Sequence, residues 1–92
     1  MSKQYVRIPV SVICDTSISP AARVIFGALV AVGGRRASQG RQFEAPLDWL
    51  EQILGRCGWS LTRRIHELER RGHLHVHRPK GGQLNKYRLI VR

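Results

Sequence analysis

Acidic residues are scarce in this chain. Its 92 residues include 6 Asp or Glu against 16 Lys or Arg, which gives a formal net charge of +10 at pH 7. The sequence has no paired-carboxylate motif, no glycine-rich nucleotide-binding loop and no nucleophile–base pair of the usual kind. We therefore expect no enzymatic activity and no cofactor, and the charge favours a polyanionic partner.

Cysteines and long apolar runs are also few. The two cysteines, Cys14 and Cys57, lie in separate segments, whereas small secreted scaffolds use four or more. The longest apolar stretch, Val24 to Val32, is too short to span a bilayer. Residues 1–15 alternate polar with apolar residues and do not form a signal peptide. We expect a cytoplasmic protein with no membrane partner.

The composition is that of one globular domain over residues 1–92, with 42% hydrophobic and 24% charged residues. The positive charge is uneven along the chain. Residues 57–92 carry nine Lys or Arg against Glu67 and Glu69, a net charge of +7. This excess predicts that a binding surface lies in the C-terminal half.

In the first half, residues 6–12 alternate apolar with polar residues, which predicts an extended segment or an edge strand because Pro9 lies within it. After a turn, Ser19 and Pro20 are typical of a helix start. We expect that helix to end at Gly33 and Gly34, with an apolar stripe of Val24, Ile25, Leu29 and Val32. Residues 33–44 are polar and glycine-rich, so we expect a flexible loop.

The second half predicts two short helices and a hairpin. A helix should begin near Pro46 and end at Gly55, with Leu47, Leu50 and Leu54 on its inner side. Another should run from about Ser60 to Arg71, with Gly72 as its stop. Beyond Gly72 the period changes to two, and the turn sequence at residues 79–83 joins two strands. The predicted fold class is mainly α with a small β-hairpin (α+β).

The two short helices with a glycine-bearing turn between them have the helix-turn-helix layout, whose second helix enters the major groove of DNA. The hairpin would be its wing. Leu61, Ile65 and Leu68 should face inward, and Arg64 should flank them and reach a phosphate. Glu67 and Glu69 could accept hydrogen bonds from cytosine, but i, i+4 pairs with Arg63, Arg70 or Arg71 are favoured. The side chains predicted to point outward or toward the groove are Trp59, Ser60, Thr62, Arg63, His66 and Arg70.

Basic residues also cluster about the predicted wing, beside two glycines that let the backbone approach a phosphate or a minor groove. The wing contacts that we predict are Arg78, Lys80, Gln83 and Lys86. Trp59 is equally well explained as a core residue, and Ser60 as a helix N-cap.

Three histidines alternate along the first predicted strand. His73, His75 and His77 would share one face, which favours a polar outer surface near the phosphates of bound DNA. Partial protonation of the imidazoles would make the affinity for DNA rise as the pH falls toward 6. A metal site with Cys57 or His66 is the alternative, but the chain has no Cys-x-x-Cys and no helical His-x-x-x-His.

The C-terminal stretch resembles the winged helix-turn-helix domains of plasmid and phage replication initiators and related small regulators. The resemblance lies in Leu54-Gly55, in residues 68–72 (LERRG) and in residues 85–89 (NKYRL). The lead-in with Ile8-Pro9 and the Ser19-Pro20 cap is similar as well. The resemblance implies a bacterial, plasmid or phage origin and DNA contacts at Ser60, Thr62, Arg63 and His66, together with the basic residues of the wing.

We therefore expect sequence-specific binding of double-stranded DNA in transcriptional regulation or in plasmid or phage replication control. Proteins of this class often bind two half-sites as homodimers, and the loop at residues 33–44 or the first helix could form that interface. The alternative is a protein-interaction module that docks on an acidic partner. RNA binding is less favoured because the chain has only two Phe and two Tyr to stack on bases.

Overall fold

The computed structural model describes residues 6–54, 61–79, 81 and 84–90. In that part of the chain there are four helices and three strands. The helices are α1 (Val10–Ile13), α2 (Pro20–Ser38), α3 (Leu47–Leu54) and α4 (Leu61–Arg70). The strands are β1 (Phe43–Glu44), β2 (Leu74–His77) and β3 (Lys86–Leu89). The α+β class is as predicted.

Helix α2 begins as its sequence predicts. The Ser19 side chain accepts a hydrogen bond from the Ala22 N–H at 3.1 Å, and Pro20 occupies the first turn, where its missing N–H costs nothing. Ile25 and Leu29 are buried, but Val24 is 50% exposed, so its predicted place in the apolar stripe is wrong. The stripe is completed instead by Ala22 and Phe26.

The predicted end of α2 is only partly correct. Gly34 has non-helical backbone angles (φ 57°, ψ −130°) that an L side chain rarely adopts, yet the helix resumes and ends at Ser38. Phe43 and Glu44 then form β1. The loop predicted over residues 33–44 is therefore confined to residues 39–42, between α2 and β1.

The N-terminal segment is also not a strand. Residues 6–9 have no regular structure, and Val10–Ile13 form the single helical turn α1. The N–H groups of Val12 and Ile13 both donate to the Pro9 carbonyl, at 3.0 and 3.2 Å. Val12 enters the core while Val6, Val10 and Ile13 remain exposed, so the alternation of residues 6–12 does not mark one buried face.

The three strands form one antiparallel sheet in the order β1-β3-β2. Leu74 lies opposite Leu89, and Phe43 lies opposite Tyr87. These four side chains are buried and form the inner face of the sheet. The hairpin of β2 and β3 is as predicted, whereas β1 was not predicted, because two residues give no measurable period.

The turn between α4 and β2 has the geometry of a Schellman motif. Gly72 has φ 76°, its N–H donates to the Glu69 carbonyl at 3.1 Å, and the His73 N–H donates to the Leu68 carbonyl at 2.9 Å. These bonds satisfy carbonyls at the end of α4 and reverse the chain. As a result β2 packs back against α4.

Helix α2 lies at the centre of the core and packs against α3, α4 and the sheet. Leu61, Ile65 and Leu68 of α4 are buried as predicted, and so is Leu50 of α3. The side chains of Leu47 and Leu54 lie outside the part that the structure describes. No helix within the described residues is long and apolar enough to cross a membrane.

Candidate nucleic-acid interface

Helix α4 has a sharply divided circumference. At 3.6 residues per turn each residue advances about 100°, so Leu61, Ile65 and Leu68 fall within one sector. Arg63, His66 and Arg70 fall on the opposite side and are exposed. We call these three residues the outer stripe of α4. Thr62, which is also exposed, borders the stripe.

Glu67 lies on one flank of α4 and is held by neighbouring groups. It accepts hydrogen bonds from the Ser19 N–H at 2.9 Å, from the Ser19 hydroxyl at 3.2 Å, and from Arg64. Partial burial raises the pKa of Glu67, but the hydrogen bonds from Arg64 and Ser19 outweigh this effect and leave it below its ordinary value. Glu67 therefore joins α4 to the start of α2.

Arg64 consequently lies on this same flank and not on the outer stripe. Its guanidinium pairs with Glu67, and its side chain is 27% exposed. A phosphate contact by Arg64 would compete with this ion pair. The expected contact at Arg64 stays a prediction, and the structure gives the residue a structural role as well.

Glu69 lies on the other flank, beside the hairpin. Arg78 donates to both of its carboxylate oxygens, at 3.0 and 3.2 Å, and His66 Nδ1 is 4.0 Å from Oε1. The Arg78 hydrogen bonds are the largest cause of the lowered pKa of Glu69, and Glu69 in turn raises the pKa of Arg78. This pair of hydrogen bonds, which we call the Arg78–Glu69 fork, links α4 to the residue that follows β2.

The predicted i, i+4 partners of the two glutamates are corrected by this geometry. Glu67 pairs with Arg64 one turn earlier, and Glu69 pairs across to Arg78. Arg71 instead pairs with Asp15, its Nε lying 3.1 Å from Oδ2. Both α4 glutamates thus lie beside the outer stripe and are bound to cationic partners, so the stripe itself carries no acid.

The three alternating histidines do not share a face. His73 is buried, and its Nε2 lies 2.7 Å from Asp15 Oδ2. That hydrogen bond is the largest of several interactions that hold the pKa of Asp15 well below its ordinary value, with the Ser17 N–H and Arg71 also contributing. His73 turns inward because it follows Gly72 before the strand begins, whereas His75 and His77 are exposed on β2.

The described residues contain no group of three or more His, Cys, Asp or Glu placed to hold a metal ion. Cys57, one of the expected metal partners, lies outside them. His73 is engaged with Asp15, so the three-histidine arrangement on which the metal alternative depended is not present.

The hairpin contributes further basic side chains. Lys86 on β3 is exposed, and Arg78 is exposed beyond its contact with Glu69. Arg88 is also exposed, two residues beyond Lys86 on the same face of β3. Sequence reasoning did not select Arg88, although its alternation with buried Tyr87 and Leu89 is the signal that places it there. Four predicted contacts lie outside the described residues: Trp59, Ser60, Lys80 and Gln83.

The remaining acids of the described chain lie elsewhere. Glu44 on β1 and Asp48 and Glu51 on α3 are exposed, and Trp49 beside them is 56% exposed. The exposed negative charge is therefore concentrated on α3 and β1, while the exposed face of α4 is positive.

Comparison of the chain with protein-family models, with curated proteins and with solved structures found no match.

Proposed function

We propose that this protein binds double-stranded DNA in a sequence-specific manner as a winged helix-turn-helix domain. In this proposal α4 enters the major groove, and the hairpin lies against the backbone or the minor groove. The observation that carries it is the outer stripe of α4, where Arg63, His66 and Arg70 are exposed opposite the core while both glutamates of the helix are bound on its flanks.

The elements that precede and follow α4 in the sequence support the same role. Helix α3 is anchored in the core by Leu50 and is followed after six residues by α4. The fork from Arg78 to Glu69 fixes the base of the hairpin beside the helix. A helix with its hairpin alongside can contact a groove and the neighbouring phosphates together.

The side chains suit base and phosphate contacts. An arginine such as Arg63 or Arg70 can donate two hydrogen bonds to guanine O6 and N7, and Thr62 can donate to several bases. Trp59 and Ser60, which precede α4 in the sequence and lie outside the described residues, would complete this contact. Lys86 and the exposed part of Arg78 would bind phosphates, together with Lys80 and Gln83, which fall between β2 and β3 in the sequence and outside the described residues.

The setting that fits the sequence resemblance is transcriptional regulation or plasmid or phage replication control in a bacterial cytoplasm. A homodimer on two half-sites is part of this proposal, since helix-turn-helix proteins commonly read palindromic operators in that way.

Selection of bound duplexes from a random pool tests the proposal, and the symmetry of the enriched site reports the oligomeric state. With five to eight phosphate contacts, the logarithm of the binding constant should fall against the logarithm of salt concentration with a slope of about −4.5 to −7. The selected duplex should also outcompete random duplex. Failure to enrich any sequence, together with salt-insensitive binding, would favour the alternative of an acidic protein partner.

A further inference from the structure

The outer face of the three-stranded sheet carries a compact group of cationic and titratable side chains. His75 lies directly opposite Arg88, and His77 lies directly opposite Lys86. All four are exposed. Residues opposite each other in an antiparallel pair have Cβ atoms about 4.5–5.5 Å apart, so each imidazole stands beside a permanent cation. We call these four residues the outer sheet face.

Few acids are placed to compensate this charge in the described chain. Glu44 on β1 lies opposite Lys86, at the edge of the sheet. Beneath the strands the inner face is apolar, formed by residues such as Leu74, Tyr87 and Leu89. Arg78, which follows β2, is held by Glu69, so that carboxylate is already engaged.

The arrangement has opposite consequences at high and low pH. While the imidazoles are neutral, each pair contains a single charge. Protonation gives both pairs, His75 with Arg88 and His77 with Lys86, two positive charges directly opposite each other. Like charges in this position destabilise a sheet. A bound polyanion removes this penalty, because its phosphates attract all four side chains at once.

We propose that the outer sheet face is a second phosphate-binding surface, that its ligand is the backbone of a nucleic acid, and that His75 and His77 take up protons when the phosphates bind. The choice of nucleic acid as the polyanion rests on the function proposed above. The surface shares Lys86 with the proposed hairpin contact but is separate from the outer stripe of α4, because it lies on the opposite side of the sheet from the buried residues that pack against α2 and α4.

The salt dependence of binding to a random-sequence duplex, measured at pH 6 and pH 8, tests this proposal. Each phosphate contact adds about 0.9 to the steepness of the salt slope, so two protonated histidines should make the slope steeper at pH 6 by about 1 to 2. The H75Q/H77Q variant should lose most of this difference and bind as the natural protein does at pH 8. The single variants should each lose about half.

Two further variants serve as controls for the salt dependence at the two pH values. K86Q/R88Q should reduce the steepness by about 2 at both pH values, since lysine and arginine stay charged throughout. H66Q removes the histidine of the outer stripe of α4, which the proposed function also places on DNA, and should remove no more than about one third of the pH difference, because His75 and His77 supply the rest. Unfolding curves at both pH values establish that the variants are folded.

An unchanged pH difference in H75Q/H77Q, or its loss in H66Q alone, would overturn the proposal. These outcomes are distinguishable from failure of the α4 contact. A chain that binds random duplex with the expected pH dependence but shows no sequence preference would retain the sheet surface and lose specific recognition. Specific binding with no contribution from His75 and His77 would retain recognition by α4 and rule out the phosphate-binding surface on the sheet.

Discussion

Two glutamates decide the character of α4 at the scale of single residues. Left exposed among the arginines, Glu67 and Glu69 would repel a phosphate backbone. Each is instead bound by a neighbour, Glu67 by Ser19 and Arg64 and Glu69 by Arg78. These contacts also join α4 to α2 and to the hairpin. The same hydrogen bonds therefore position the helix and neutralise the two carboxylates that lie beside its outer stripe.

Arg63 is the residue through which base recognition is tested most simply. Arg63→Ala should lower the affinity for the selected duplex by about 1–3 kcal/mol and relax discrimination at one base position, because it would remove the proposed bidentate contact to guanine. Competition binding with selected and random duplexes measures both effects. Arg35→Ala is the matched control, since it removes the same charge from an exposed position on α2. Equal losses on both duplexes would make Arg63 a phosphate contact instead.

The Asp15–His73 pair predicts a dependence of stability on pH. The pKa of Asp15 is lowered in the folded protein by His73, the Ser17 N–H and Arg71. A lowered folded pKa gives stability that is present above the unfolded value, about 3.8, and is lost as the pH falls below it. Asp15→Asn should therefore lower the unfolding midpoint at pH 7, and the difference from the natural protein should shrink below about pH 4.

Denaturant unfolding between pH 2 and pH 7 measures this effect. Glu51→Gln is the matched control, because Glu51 is exposed on α3 and forms no ion pair within the described part of the chain. A deficit in Asp15→Asn that stays constant down to pH 2 would show that ionisation of Asp15 does not stabilise the fold.

At the scale of elements, the position of the hairpin depends on how α4 ends. Gly72 adopts φ 76° with nothing within 4 Å of the place where a Cβ would lie, so a substitution there is strained without being crowded. Gly72→Ala should lower the free energy of unfolding by about 1–2 kcal/mol, the cost of a left-handed residue with a side chain. Gly72→Asn should cost less, because asparagine tolerates this conformation. Equal losses in the two variants, measured by denaturant unfolding, would argue against backbone strain as the cause.

Elements with a strong period or a capping signal could be predicted from the sequence. The Ser19-Pro20 start of α2, the buried stripe of α4 and the β2–β3 hairpin are of this kind. Helix α1 could not, since its valines recur at the period of a strand although only Val12 of this turn is buried. The two residues of β1 gain their conformation from pairing with β3, a tertiary contact that local sequence does not encode.

The candidate site was predictable to a similar degree. Helical period alone placed Arg63, His66 and Arg70 opposite the core. The fork between Arg78 and Glu69 was not predictable, because it depends on how the hairpin packs against α4. His73 was misplaced for a related reason: its partner Asp15 lies 58 residues away in sequence.

At the scale of the whole molecule, the exposed acids of the described chain are few and lie off the outer stripe of α4. The exposed acids of the described chain lie on β1 and α3, at Glu44, Asp48 and Glu51, while α4 and the outer sheet face are cationic. A duplex approaching this field is attracted to α4 and repelled from the exposed face of α3. Under the proposed function, this field would orient the protein on a duplex before base contacts form.

The most direct test of the central claim, that the outer stripe of α4 faces DNA, is a titration of isotope-labelled protein with the selected duplex, followed by backbone amide resonances. The account predicts that the largest changes fall on α4, around Arg63, His66 and Arg70, and on the hairpin near Lys86. It predicts small changes at Asp48 and Glu51. Large changes along α3 with α4 unperturbed would contradict it.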